Sequence, residues 1–175
     1  DKPLEVGNET VMFRHEKTFF HQPGLAVQLK TSEGEERLKA KIIELESYSV
    51  ERVGEKLRTD LFFITHDSER QDDFLNAIRL VKQNSTKAVI LDSVRADLLQ
   101  KGLDLLKEDR PAVFLRDAVT DNDLELAKSY QASLILTAPS FEGLEGQATK
   151  ARNAGVNDLI LNLSPPDQGS LLQNN

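Results

Sequence analysis

The sequence predicts an α/β protein built from a repeated parallel (β/α) unit, a TIM-barrel-like arrangement left incomplete or truncated at about six units. Short apolar runs recur along the chain: LFFIT (61–65), AVILD (88–92), AVFLR (112–116), SLILT (133–137) and DLILN (158–162). They are continuous rather than alternating, the pattern of strands covered on both faces. The segments between them place apolar residues at helical spacing, which supplies that cover.

Each helix has its own justification. In 69–84, Phe74, Ala77, Ile78 and Val81 share one face, and Asn84 is a plausible stop. In 94–108, Leu98, Leu99, Leu103 and Leu106 form a stripe that Asp109, Arg110 and Pro111 end. Over 121–130, Leu124 and Ala127 face inward, with Asp121 as the expected N-cap. The helix over 141–154 closes at Ala154-Gly155-Val156, with Gly155 in the left-handed position after the C-cap.

The first 60 residues are less regular. TVMF (10–13) reads as a strand, and LAVQLK (25–30) as the sixth parallel strand. EERLKAKIIELESY (35–48) is helical in composition, though KIIELES could instead alternate as a strand. SVERVGEKL (49–57) reads as a short helix with Val50, Val53 and Leu57 on one side, although Gly54 inside it costs about 1 kcal/mol relative to Ala.

A chain of 175 residues suits one domain, here 1–175. Its formal charge of −7 does not favour a general nucleic-acid or anionic-membrane surface. No apolar run reaches membrane-spanning length. With no cysteine, the chain forms no disulfide and ligates no zinc or iron–sulfur cluster through thiolates. A cytoplasmic location is the ordinary expectation for this composition. Repeated βα units fit either a (β/α) barrel or a doubly wound sheet. Neither G-x-G-x-x-G nor G-x-x-x-x-G-K-[ST] occurs, which counts against dinucleotide or P-loop binding. After DLILNL the chain runs SPPDQGSLLQNN, and a closed eight-unit barrel would need two further units, so a fragment is expected.

Chemistry in such folds gathers at the C-terminal ends of the strands. There the sequence places Thr65, His66 and Asp67; Asp92 and Ser93; Arg116 and Asp117; Thr137 and Ala138; and Asn162. Asp67, Ser93 and Asp117 also suit helix capping. Asp92 and Asp117 would make an acid/base pair only if their surroundings separated their pKa values. His66 stands alone, without H-E-x-x-H or His-x-His, so no metal site is expected. No G-x-S-x-G elbow and no cysteine nucleophile supports covalent hydrolysis.

The stretch VMFRHEKTFFHQPG (11–24) concentrates Arg14, His15, Lys17 and His21. A strand over 11–16 would put Val11, Phe13 and His15 on one face. The functional reading is an anion or cofactor contact through Arg14, Lys17 or His21. The structural reading, which is preferred, is a hairpin or plug over the barrel floor.

GNETVMFRHEKTFFHQPGLAV (7–27), SVERVGEKLRTDLFFI (49–64), KAVILDS (87–93), PAVFLRDAVTDNDLELAKSY (111–130) and ARNAGVNDLILNLSPPDQGSL (151–171) resemble, in the same order, the barrel domain of the large (gamma) subunit of the corrinoid iron–sulfur protein of the acetyl-CoA pathway. In that family of anaerobic carbon fixation and one-carbon metabolism, an N-terminal module holds a [4Fe–4S] cluster and a C-terminal domain holds the corrinoid (cobalamin). The resemblance implies a segment lacking both modules. It would act as scaffold and docking surface, with no catalytic residue of its own. Its implied partners are the small subunit, the methyltetrahydrofolate methyltransferase and acetyl-CoA synthase. Loops after LILD, VFLRD and LILN would face the corrinoid or the partner subunit, and on the first of these Asp92, Asp117 and Asn162 are the candidate cofactor-binding residues. The alternative is an autonomous pterin-binding methyltransferase domain using the same three residues.

Overall fold

The structure is a computed structural model that describes residues 4–11 and 17–164. Its centre is a parallel sheet of six strands: β3 (Ala26–Lys30), β6 (Leu61–Thr65), β7 (Ala88–Asp92), β8 (Ala112–Phe114), β9 (Ser133–Ala138) and β10 (Leu159–Leu163). They lie side by side in the order β10-β9-β8-β7-β6-β3, which is chain order without reversal. A doubly wound sheet reverses its order at a switch point, so this topology is that of a TIM-type barrel. Eight strands close such a barrel, and the sheet among the described residues is incomplete.

Helices α1 (Glu35–Ser47), α2 (Gln71–Asn84), α3 (Ala96–Leu105), α4 (Asp121–Tyr130) and α5 (Phe141–Asn153) connect the parallel strands. Right-handed crossovers between neighbouring strands in sequential order put them all on one face of the sheet. That face holds the core. Leu29, Phe62, Ile64, Leu91 and Leu136 from the strands meet Phe74 and Ile78 of α2 and Leu98 and Leu103 of α3, all buried. Residues at alternate positions point the other way. On that opposite face the rings of Phe63 and Phe114 meet edge to face at 5.4 Å. Their strands are separated by β7, about 9–10 Å of flat sheet. Side chains that converge across an intervening strand mark this face as concave, the inner wall of the unfinished barrel.

Several boundaries differ from the sequence expectation. The run AVFLR keeps only Ala112–Phe114 as strand, and Leu115 and Arg116 enter the following loop. Helix α4 is capped by Thr120 rather than Asp121: the Thr120 hydroxyl accepts from the Asp123 amide, while the Asp123 carboxylate accepts from the Thr120 amide. Helix α3 stops at Leu105, three residues earlier than expected. Gly155 follows α5 at φ 89°, as expected.

The segment 49–57 is not a helix. It forms an antiparallel hairpin of β4 (Ser49–Arg52) and β5 (Glu55–Arg58), with Val50 opposite Leu57. The deciding feature is the turn. Val53 at φ 52° and Gly54 at φ 79° both take positive φ, as a two-residue type I′ turn requires. The apolar residues that suggested one helical side instead divide between a cross-strand pair and the turn tip.

At the start of the chain, β1 (Gly7–Val11) pairs antiparallel with β2 (Lys17–His21). The strand expected over 11–16, with Arg14 and His15, lies outside the described residues except for Val11. The root of this hairpin sits at the N-terminal end of β6. A Cβ at Gly24 would lie 2.8 Å from Leu61 Cδ1 and 3.0 Å from Val6 Cγ1. The Leu25 amide donates to Asp60 Oδ2 at 3.0 Å. The floor of the barrel, opposite the strand C-termini, is therefore where this element is tied down, and His21 pairs with Glu5 at 3.5 Å.

Val53 is β-branched and strained in the left-handed region. Val53→Asn should relieve about 1 kcal/mol of that strain. Hydrogen exchange of the β4–β5 amides should slow by about fivefold. Unchanged or faster exchange would count against the type I′ assignment.

Candidate functional site

The strand C-termini converge on the concave face. Asp92, the last residue of β7, lies there with only 2% of its surface exposed. A buried carboxylate requires a partner. Arg116, just beyond β8, provides one: its Nε and Nη2 donate to the two Asp92 oxygens, each at 2.7 Å. The Arg116 side chain remains 45% exposed, so the pair buries its negative end and presents its positive end to solvent. The hydrogen bonds to Asp92 raise the Arg116 pKa further above its ordinary value, against an opposing desolvation effect and with support from the charges of Asp92 and Asp117.

Neighbouring strands continue the polar row. Gln28 Nε2 donates to Thr65 Oγ1 at 2.8 Å, and Thr65 is itself buried. Asn162 on β10 is directly opposite Thr137 on β9 and donates to its hydroxyl oxygen at 3.3 Å. Below this row, Phe114 and Ile135 stand opposite each other, as do Ile135 and Ile160. The arrangement is an apolar floor with hydrogen-bonding groups along its upper rim.

The loops are tied together outside the rim. Asp67, after β6, accepts from the Ser32 amide at 2.9 Å, the Ser32 hydroxyl at 2.8 Å and the Thr31 hydroxyl at 3.1 Å. Asp67 thus clamps the β3–α1 loop and does not cap a helix. Partial burial pushes its carboxyl upward, but the Ser32 and Thr31 hydrogen bonds and the Lys30 charge outweigh this, leaving it below the usual aspartate value. Ser93 receives the Arg95 amide at 3.1 Å, a local turn bond. His66 turns away from the concave face, and its ring meets Phe74 of α2 with centroids 5.6 Å apart. Its Nε2 is buried without a hydrogen-bond partner among the described residues.

The three candidate residues are not equivalent. Asp92 is engaged by Arg116. Asp117 is exposed in the loop after β8, and Asn162 is half-buried on the rim. The acid pair considered for Asp92 and Asp117 is replaced by the Asp92–Arg116 ion pair. Sequence reasoning placed Arg116 at the rim but gave it no role. The signal was available: in a parallel sheet, AVILD and AVFLR each end in a charge, and the two charges are opposite. Two cavities of about 350 and 330 Å³ lie elsewhere, one between the start of α1 and α2, the other at the strand N-termini near Arg110 and Asp158.

Comparison with known proteins gives the context. Residues 1–170 match the family described as "CO dehydrogenase/acetyl-CoA synthase delta subunit". The chain belongs to this family. Its curated relatives carry related names. The acetyl-CoA decarbonylase/synthase complex subunit gamma of Methanocaldococcus jannaschii is 27% identical over 92% of this chain and 33% of its own length. The corrinoid/iron-sulfur protein large subunit of Moorella thermoacetica is 27% identical over 90% of this chain and 36% of its own length. The gamma subunit of Methanopyrus kandleri is 31% identical over 73% of this chain and 27% of its own length. The chain therefore spans about a third of the length of these relatives. Among solved structures, the dihydropteroate synthase of Thermus thermophilus in complex with 4-aminobenzoate superposes with a TM-score of 0.57. That likeness covers 87% of this chain and 63% of that one at 17% identity, and it concerns the barrel fold alone.

The family's cofactors can be tested against these residues. A cysteine-held [4Fe–4S] cluster does not fit a chain without cysteine. Among the described residues no group of three His, Asp or Glu side chains is placed to hold a metal. His66 offers no axial ligand to a corrinoid, because its free nitrogen is buried beneath the strand ends. No described histidine on the rim supplies one.

These contacts can be checked by mutation and by acid titration. Arg116→Gln leaves Asp92 buried and unpaired and should destabilise the fold by about 3–5 kcal/mol in urea denaturation, whereas Asp92→Asn with Arg116→Gln should recover most of the loss. Equal losses in the single and double variants would contradict the pairing. Asp67 has a lowered folded pKa, so its clamp is fully present above the unfolded value of about 3.9 and is lost as pH falls through the folded value. Exchange protection of the Ser32 amide should disappear on acidification, and the Asp67→Asn variant should show weaker protection with no such acid step.

Proposed function

We propose that this segment is the barrel domain of a corrinoid iron–sulfur protein of large-subunit, gamma type. It serves as scaffold and subunit-docking surface in a complex that carries a methyl group from a methyltetrahydropterin methyltransferase to acetyl-CoA synthase. The observation that carries this reading is the family match across residues 1–170. The curated relatives support the gamma type, since those compared are gamma or large subunits. The geometry is compatible with a supporting role. The buried acid of the rim is neutralised by Arg116, which occupies both of its oxygens.

On this reading the polar rim is a wall facing the corrinoid. Asn162 and Asp117 are its contact residues, and Asp92 contributes by holding Arg116 in place. The corrinoid and the [4Fe–4S] cluster belong to other modules of the intact protein, which acts in the cytoplasm with its small subunit and the two enzymes it serves. The cobalt chemistry is the cofactor's own. The isolated segment has no transfer activity of its own.

The test is association. Mixed with the small subunit, the chain should co-elute with it on gel filtration, and it should show no micromolar heat of binding with methyltetrahydrofolate. Separate elution would overturn the docking role. A micromolar calorimetric isotherm would establish the segment as an autonomous pterin-binding domain instead.

A further inference from the structure

The two hydrogen bonds between Asp92 and Arg116 use one particular edge of the guanidinium. Nε and Nη2 face the buried carboxylate. Of the five N–H donors of an arginine, Asp92 takes two. The unused donors lie on Nη1 and on the outer side of Nη2, a second flat fork suited to two coplanar oxygens. No further hydrogen bond from Arg116 to a described residue accompanies them, and the side chain is 45% exposed. Because Asp92 is only 2% exposed, the positive end of the pair faces outward.

The next groups along the rim are donors too. Arg116 lies two residues beyond Phe114, and Thr137 two beyond Ile135, its pairing partner. Leu115 continues that ladder by donating to the Ile135 carbonyl at 3.0 Å. Asn162 is opposite Thr137. Thr137 Oγ1 accepts from Asn162, which leaves its hydroxyl proton free to donate outward. Asn162 keeps its second amide N–H. The floor beneath is Phe114, Ile135 and Ile160, the last 39% exposed. Apolar walls with a few convergent polar groups are the usual form of a small-molecule site.

We propose that Arg116, Thr137 and Asn162 form an anion-recognition site in the barrel mouth. It takes the paired oxygens of a carboxylate or phosphate group whose ligand rests its apolar body on Phe114, Ile135 and Ile160. Asp92 is a positioning residue here: it fixes the guanidinium plane and does not touch the ligand. Asp117, exposed beside Arg116, adds a negative charge at the edge that weights the site toward the less charged of these two groups, the carboxylate. This inference rests on the strand-end face being the working face of the segment.

The test is an NMR titration of the full chain with acetate and with inorganic phosphate at constant ionic strength, using chloride as control and reading the Arg116 Nε–H and Asn162 amide signals. Either anion should give a saturable shift with a dissociation constant of about 1–10 mM. The stronger of the two identifies the source of the oxygens. The isosteric Thr137→Val variant should weaken that affinity by about threefold. The charge-balanced Asp92→Asn/Arg116→Gln double variant should abolish the Asn162 shift while unfolding cooperatively. Shifts that match chloride, or an Asn162 response unchanged in the double variant, would overturn the proposal. Co-elution with the small subunit, read on the same sample, separates the outcomes: association without anion shifts refutes this site alone.

Discussion

The register of the parallel sheet is the constraint on which both core and rim depend. Along β7, Val89 and Leu91 face the helices while Ile90 and Asp92 face the concave side. A slip of one residue would put the Asp92 carboxylate against Phe74 and Leu103 and turn Leu91 into the barrel mouth. The helix-facing residues forbid this. Leu29, Phe62, Ile64, Leu91 and Leu136 are all fully or almost fully buried against α1 to α5. Packing on one face therefore sets the positions of the polar groups on the other.

Asp92 shows how the two faces are coupled energetically. Removing a carboxylate from water costs several kcal/mol unless a well-aligned partner replaces the lost solvation. Arg116 does so with a bidentate contact, and it reaches Asp92 because β8 ends early and releases Leu115 and Arg116 into a loop above the strand. The short strand is thus tied to the chemistry of the rim. The Asp67 clamp acts in the same way one loop further round, joining the β3–α1 connection to the β6–α2 connection through three hydrogen bonds.

The two hairpins carry a different message. β1–β2 is rooted at the strand N-termini, by Gly24 and Leu25 against Asp60 and Leu61. The root of this hairpin is remote from the strand C-termini. The β4–β5 hairpin projects with every strand residue exposed. An isolated two-stranded ribbon is marginally stable in water. Its formation here rests on the Val53-Gly54 turn and the Val50–Leu57 pair.

The sequence by itself determined the repeated unit, the six parallel strands and the helices between them, because two-faced burial demands continuous apolar runs and helical cover demands a stripe. It also placed Asp92, Asp117 and Asn162 at strand ends, since each follows directly from where an apolar run stops. Strand order was not legible, because a barrel and a doubly wound sheet share the same local pattern and differ only in which non-local neighbours pair. The hairpin at 49–58 was hidden for a related reason: Val50, Val53 and Leu57 satisfy a helical spacing, and only the backbone at Val53 and Gly54 discloses the turn. The partner of Asp92 was decided by tertiary structure alone. A carboxylate's chemistry depends on whether a guanidinium stands 2.7 Å away or water does, and that distance is set by residues 24 positions apart in the chain.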